Sequence, residues 1–178
     1  MGLNKSNTET NVVYLLQGKV VMLANKSETT IEKNGKFYEP YKSISGRITN
    51  FEVVKGYNDG DRDVKITFSE DGEDLVLVFG LDSSYFKSFA KMFPNLDINS
   101  SLELFPTFKI EEGKNKTGLV IKQGEGWIKR AFTIDNMGEC PVAIPVEVNG
   151  KVVYDYSSQN DFLLKNIETI LKKEKLPF

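Results

Sequence analysis

A mainly β protein is predicted from three observations. Between Ile44 and Phe132 the chain breaks into short alternating or apolar runs separated by Gly- and Asp-rich turns. The one helix-like stretch there, Ser83 to Phe93, follows three such runs and precedes two more. Outside this segment, two further pairs of runs flank Asn-Gly dipeptides. Three strands, a helix and two strands is the element order of an OB-fold. The expected architecture is therefore a five-stranded OB-fold barrel with a short capping helix, extra hairpins and a C-terminal helix.

The elements follow in chain order. Residues 1–10 are polar, and disorder is expected there. Val12 to Leu16 and Val20 to Leu23 flank Gly18 and read as two short strands, with a helix as the alternative. Thr29 to Tyr41 reads as a hairpin turned at Asn34-Gly35, because that dipeptide adopts the positive φ angles of a type I′ turn at little cost. These residues, 11–43, are expected to rest on the barrel.

The barrel segment, 44–132, opens with Ile44 to Phe51. Gly56 to Asp61 is a turn-rich loop, and Asp63 to Ser69 and Asp74 to Gly80 follow as the second and third strands. Tyr85, Phe86, Phe89 and Phe93 share one broad face of the short helix, which suits a cap over the core, with Lys87 and Lys91 on a solvated face. Ser101 to Lys109 and Thr117 to Gln123 complete the set. In residues 133–156 a second hairpin is expected, Pro145 to Val148 and Lys151 to Tyr154 around Asn149-Gly150. The last unit, 157–178, carries a helix from about Asn160 to Lys173. Ser158 with Asp161 suggests a capping box, and Leu163, Ile167, Ile170 and Leu171 form an apolar stripe.

Composition excludes several classes of function. The 178 residues include no histidine and one cysteine, Cys140. Histidine-based triads, imidazole zinc sites and an internal disulfide are therefore excluded, and no metal or other cofactor is expected. No apolar run approaches the ~18 residues of a membrane-spanning helix, so a cytoplasmic protein without membrane contact is expected. Phosphate-loop and dinucleotide signatures are absent, since Gly124-Glu125-Gly126 lacks a third glycine and a following helix. Asp59, Asp61 and Asp63 alternate but lack the spacing of a calcium loop and suit turn chemistry instead. The net charge of −2 is unevenly spread. Ile44 to Thr107 holds 6 Lys/Arg and 11 Asp/Glu, whereas Phe108 to Phe132 holds 6 Lys/Arg and 3 Asp/Glu.

Candidate binding residues emerge from strand alternation and local charge. Ile44, Gly46 and Ile48 share one face of the first barrel strand, leaving Arg47, Thr49 and Phe51 on the other. On the second strand Val64, Ile66 and Phe68 point inward and Lys65 and Thr67 outward. Arg47, Phe51 and Lys65 thus fall on the outward face, either as a binding surface or as an ordinary solvated one. Tyr57 and Arg62 lie in the loop between these strands, where a Tyr either stacks on a base or folds back onto the sheet edge. The region richest in positive charge interleaves Lys109, Lys114, Lys116, Lys122, Lys129 and Arg130 with Phe108 and Trp127. Cations that neutralise phosphates beside rings that stack on bases are what a groove for a single strand needs. The alternative is a solvated hairpin with Trp127 plugging the barrel.

Gly46-Arg47-Ile48-Thr49, Asp82-Ser83-Ser84-Tyr85, Phe93-Pro94-Asn95-Leu96-Asp97, Leu104-Phe105-Pro106 and Gly118 to Gln123 occur in this order and spacing. In these features, and over roughly Ile44 to Leu171, the chain resembles the single-stranded DNA-binding proteins of tailed bacteriophages. The resemblance implies a non-enzymatic, sequence-tolerant protein that protects replication or recombination intermediates in the host cytoplasm. Tyr38, Tyr41 and Lys42 would extend its surface. The final Leu176-Pro177-Phe178 is similar to the tip with which bacterial single-stranded DNA-binding proteins recruit replication enzymes. It departs from them in following Lys172-Lys173-Glu174-Lys175 rather than an acidic run. From a different class, the acidic balance, the two extra hairpins and an exposed C-terminal helix suit a β-barrel protein-interaction or virion-assembly module. A carboxylate enzyme such as a glycan hydrolase is the third reading, with no carboxylate pair that the sequence places on facing strands.

Overall fold

A computed structural model describes residues 11–176. Among these residues the chain is mainly β with two α-helices, as expected. Its strands are β1 (Asn11–Leu16), β2 (Lys19–Ala24), β3 (Ile31–Lys33), β4 (Lys36–Tyr41), β5 (Ile44–Lys55), β6 (Arg62–Glu70), β7 (Glu73–Gly80), β8 (Leu102–Glu111), β9 (Lys114–Gln123), β10 (Gly126–Trp127), β11 (Ile144–Val148) and β12 (Lys151–Asp155). The helices are α1 (Ser84–Met92), continued by a 3-10 turn at Phe93–Asn95, and α2 (Ser157–Lys173).

Ten strands form one sheet in the order β10-β9-β8-β5-β6-β7-β1-β2-β4-β3, while β11 and β12 stand apart as a two-stranded ribbon. The five strands expected in the barrel keep their order and their antiparallel pairings, β5 with β6 and β8, β6 with β7, and β8 with β9. The sheet does not close: β7 and β9 are not hydrogen-bonded partners. The edge of β7 is taken by β1, which runs parallel to it from Asn11 opposite Leu75 to Tyr14 opposite Val78. The β1–β2 turn then abuts β8. A Cβ on Gly18 would lie 2.7 Å from the Phe108 Cβ and 2.9 Å from the Phe108 nitrogen, and the Gly18 N–H donates to the Tyr85 hydroxyl at 3.3 Å. With φ +73° as well, this turn needs glycine twice over, for conformation and for space.

One correction concerns β5. The register with β6 slips between Ile48 and Asn50, so Thr49 is an extra residue in the ladder. A bulge reverses the in–out alternation beyond it. Phe51 consequently points inward, fully buried and stacked on Phe89 with ring centroids 6.4 Å apart.

The core gathers inward residues of β1, β2 and β5–β9 with Phe86, Phe89 and Phe93, and also Leu163, Ile167 and Leu171 of α2. The C-terminal helix therefore shares one core with the sheet. The Ser83 hydroxyl caps α1 by accepting from the Phe86 N–H at 3.1 Å. At α2 the expected Ser158–Asp161 box is not formed. The Asp155 carboxylate accepts instead from the Ser157 N–H at 2.8 Å and hydroxyl at 2.6 Å, which starts the helix earlier and holds that carboxyl below its ordinary pKa. Leu176 ends α2 by donating to the Leu171 carbonyl at 3.0 Å, with Lys175 at φ 56°. Pro177 and Phe178, like residues 1–10, lie outside the described residues, as do the expectations made for them.

Candidate nucleic-acid interface

The outward face of β5, β6, β7 and β1 is ordered by register into two rows. Asn50, Thr67, Val76 and Val12 stand side by side in one, and Glu52, Lys65, Val78 and Tyr14 in the next. Tyr57 rises from the loop at one end and is 99 % exposed. Together with Lys55 these residues line a groove of about 670 Å³. Its lining is apolar at Val12, Val76 and Val78, aromatic at Tyr14 and Tyr57, and charged at Glu52, Lys55, Asp63 and Lys65.

The groove does not end there. A second hollow of about 580 Å³ shares Tyr14, Tyr57, Asp63 and Val78 with it and extends to Tyr38, Lys33 and Tyr85. Tyr14 and Tyr38 meet edge-to-face with centroids 6.4 Å apart. A third hollow of about 390 Å³ shares Leu15, Leu16, Lys33 and Tyr85 with the second and reaches Phe108, Asn115 and Thr117 on β8 and β9. A continuous track thus leads from Lys55 and Lys65, past Tyr57, Tyr14, Tyr38 and Tyr85, to Phe108 and the β8–β9 hairpin. It exists because β1 occupies the edge of β7 and the β1–β2 turn bridges to β8.

The track brings together Tyr57, Lys65 and Phe108, with Lys114 exposed at the hairpin tip beyond. Lys109 and Lys116 are at the same tip, but both are ion-paired to Glu111, Lys109 at 3.2 Å. The hydrogen bonds from Lys116 and Lys109 hold the Glu111 carboxyl below its ordinary pKa. Arg62 is paired with Asp161 of α2 at 3.3 Å. Arg47 is exposed on the same face as Lys65, one row beyond the groove and opposite Ser69.

Other expected residues lie elsewhere. Phe51 is in the core, so its assignment to the outward face does not stand. Trp127 does not plug the sheet; it is 60 % exposed and rests on Phe105 with centroids 5.5 Å apart, opposite Lys122 in the β9–β10 pair. Lys42 sits over the Phe105 ring at 5.9 Å. These four make a separate aromatic and basic patch on the outer side of β8–β10. Lys129 and Arg130 are exposed beyond β10, where the Lys129 carbonyl accepts from Asn95 at 2.9 Å. Lys87 and Lys91 are half-buried rather than solvated. Desolvation lowers the pKa of both, and the Lys87 ammonium lies 3.7 Å from the Tyr156 ring centroid.

Sequence reasoning missed Tyr14, Lys33 and Asn50, and placed Thr67 outward without making it a candidate. The alternation of inward Val13 with outward Tyr14 was available, but its place beside Val78 depends on a parallel pairing that no local pattern announces. Among the described residues, no group of three or more His, Cys, Asp or Glu is placed to hold a metal ion, and no helix is long and apolar enough to cross a membrane. No family model, no curated protein and no solved structure matches the chain.

Proposed function

We propose that this chain is a non-catalytic, sequence-tolerant binder of single-stranded DNA, and that the strand follows the track from Lys65 to the β8–β9 hairpin. The observation that carries the reading is the continuity of three hollows with Tyr14, Tyr38, Tyr57 and Phe108 along them. Rings spaced along an open groove offer stacking to any base, worth ~1–3 kcal/mol each in such proteins. Lys33, Lys65 and Lys114 supply cations along the same path, with Lys55 held by Asp59 at 2.9 Å, so affinity should fall with salt. Glu52 and Asp63 also line the groove and repel phosphate, which favours a strand that enters base-first there and keeps its phosphates toward the lysines.

The order and pairing of the five middle strands, with α1, support an OB-type scaffold left open between β7 and β9, where the N-terminal hairpin covers the edge of β7. A place in phage replication or recombination in a host cytoplasm rests on the resemblance of the motifs, and so does recruitment of replication enzymes by the C-terminal tip. The second reading, a protein-interaction module, is favoured by one observation, the exposed apolar ribbon of β11 and β12.

A fluorescence-anisotropy titration with labelled oligo-dT at two salt concentrations, with the matching duplex as control, tests the proposal. Binding to the single strand that weakens with salt and is poor for the duplex is expected. No binding at low salt rejects it and leaves the interaction module.

A further inference from the structure

From the geometry of the β11–β12 ribbon we infer that β12 pairs antiparallel with β12 of a second copy of this chain. Among the described residues the ribbon has no third strand, and every residue from Ile144 to Asp155 is exposed. It is nevertheless apolar: Val152 is 65 % and Tyr154 58 % exposed, with Ile144, Val146, Val148 and Val153 on the opposite face. An isolated two-stranded ribbon is marginal in water, and more strands are the usual remedy.

Its two edges differ. Asn149 and Gly150, at φ 51° and 73°, make a two-residue turn of type I′. In such a hairpin Val148 and Lys151, which flank the turn, exchange both backbone hydrogen bonds, and bonded and non-bonded pairs then alternate. Pro145 and Glu147 therefore turn their backbone to the free edge of β11, and Val152 and Tyr154 turn theirs to the free edge of β12. A proline without a donor, beside a charged residue, guards an edge against pairing. The β12 edge has neither guard.

The sequence of β12 also fits itself. In Lys151-Val152-Val153-Tyr154-Asp155 a two-fold axis through Val153 places Val152 opposite Tyr154 of the second copy, as a hydrogen-bonded pair in both directions. The same axis sets Lys151 opposite Asp155 of the second copy, twice. The Asp155 Oδ1 is used by Ser157, and its Oδ2 makes no hydrogen bond among the described residues. Charge complementarity and free backbone groups thus select one register and one partner. The product is a four-stranded sheet with a continuous apolar strip.

Sedimentation velocity of the full chain without DNA tests this independently of any binding to nucleic acid. The wild-type chain is expected to dimerise at micromolar concentration. Tyr154→Pro removes an edge donor that the hairpin itself does not use, and should weaken the dimer at least about tenfold with an unchanged circular-dichroism spectrum. Lys151→Glu sets like charges opposite each other. It should weaken the dimer several-fold at low salt and less at high salt, and it serves as the reading if Tyr154→Pro fails to fold. A wild-type monomer at these concentrations overturns the inference, as does a dimer that survives folded Tyr154→Pro or is indifferent to Lys151→Glu.

Discussion

Tyr57 and Phe51 are aromatic residues six positions apart with opposite fates. Phe51 is 0 % exposed and stacked on Phe89, so Phe51→Ala deletes a ring from a closed core. It should cost ~3–5 kcal/mol in urea unfolding and leave the affinity of the folded fraction for oligo-dT unaltered. Tyr57 is supported by little but its own loop, where Gly56 donates to the Asp61 carbonyl at 2.8 Å. Tyr57→Ala should leave the unfolding midpoint within experimental error, as surface substitutions do, and lose ~1–3 kcal/mol of binding in the anisotropy assay. The difference between the two residues was half legible. The Asn, Asp and Gly residues around Tyr57 announce an exposed loop. The inward turn of Phe51 depends on one extra residue, Thr49, whose presence in the ladder is defined only by the partner strand.

At the scale of elements, the β1–β2 hairpin and the β8–β9 hairpin set the two ends of the third hollow. Gly18→Ala would force a Cβ to within 2.7 Å of Phe108 and impose a positive φ on alanine. A loss of ~1–3 kcal/mol is expected from urea unfolding, accompanied by weaker oligo-dT binding because Phe108 and Tyr85 shift together. Glu111 acts in the opposite sense. It engages Lys109 and Lys116 at the hairpin tip, and their hydrogen bonds hold its carboxyl below its ordinary pKa. Glu111→Gln frees both ammonium groups. Affinity should rise several-fold at low salt, with the slope of log K against log salt steeper by about 0.7 for each new phosphate contact. Turns of this kind were the most legible elements. Asn34-Gly35 and Asn149-Gly150 both turn where expected, because a two-residue turn is specified by its own residues. The seat of β1 beside β7 was not legible, since parallel pairing between segments some sixty residues apart leaves no local mark.

For the whole molecule, the consequential fact is that the sheet stays open at the place where a barrel would close. A β-edge left bare invites aggregation, and here β1 covers the edge of β7 while the following strands extend the sheet. The same arrangement joins the loop around Tyr57 to the basic hairpin, two regions that sequence alone suggests as separate candidates. The charge pattern has a matching logic. A chain of net charge −2 can still hold a strand where lysines line one track, because the field that matters is local.

The measurement that bears most directly on this account is ultraviolet cross-linking of the wild-type chain to oligo-dT at low salt, with the attached peptides mapped by mass spectrometry. Cross-links at Tyr57, Tyr14 and Phe108, lost when salt is raised, are the expected result. Cross-links confined to Trp127 and its neighbours, or none at all, would contradict a strand bound along the track.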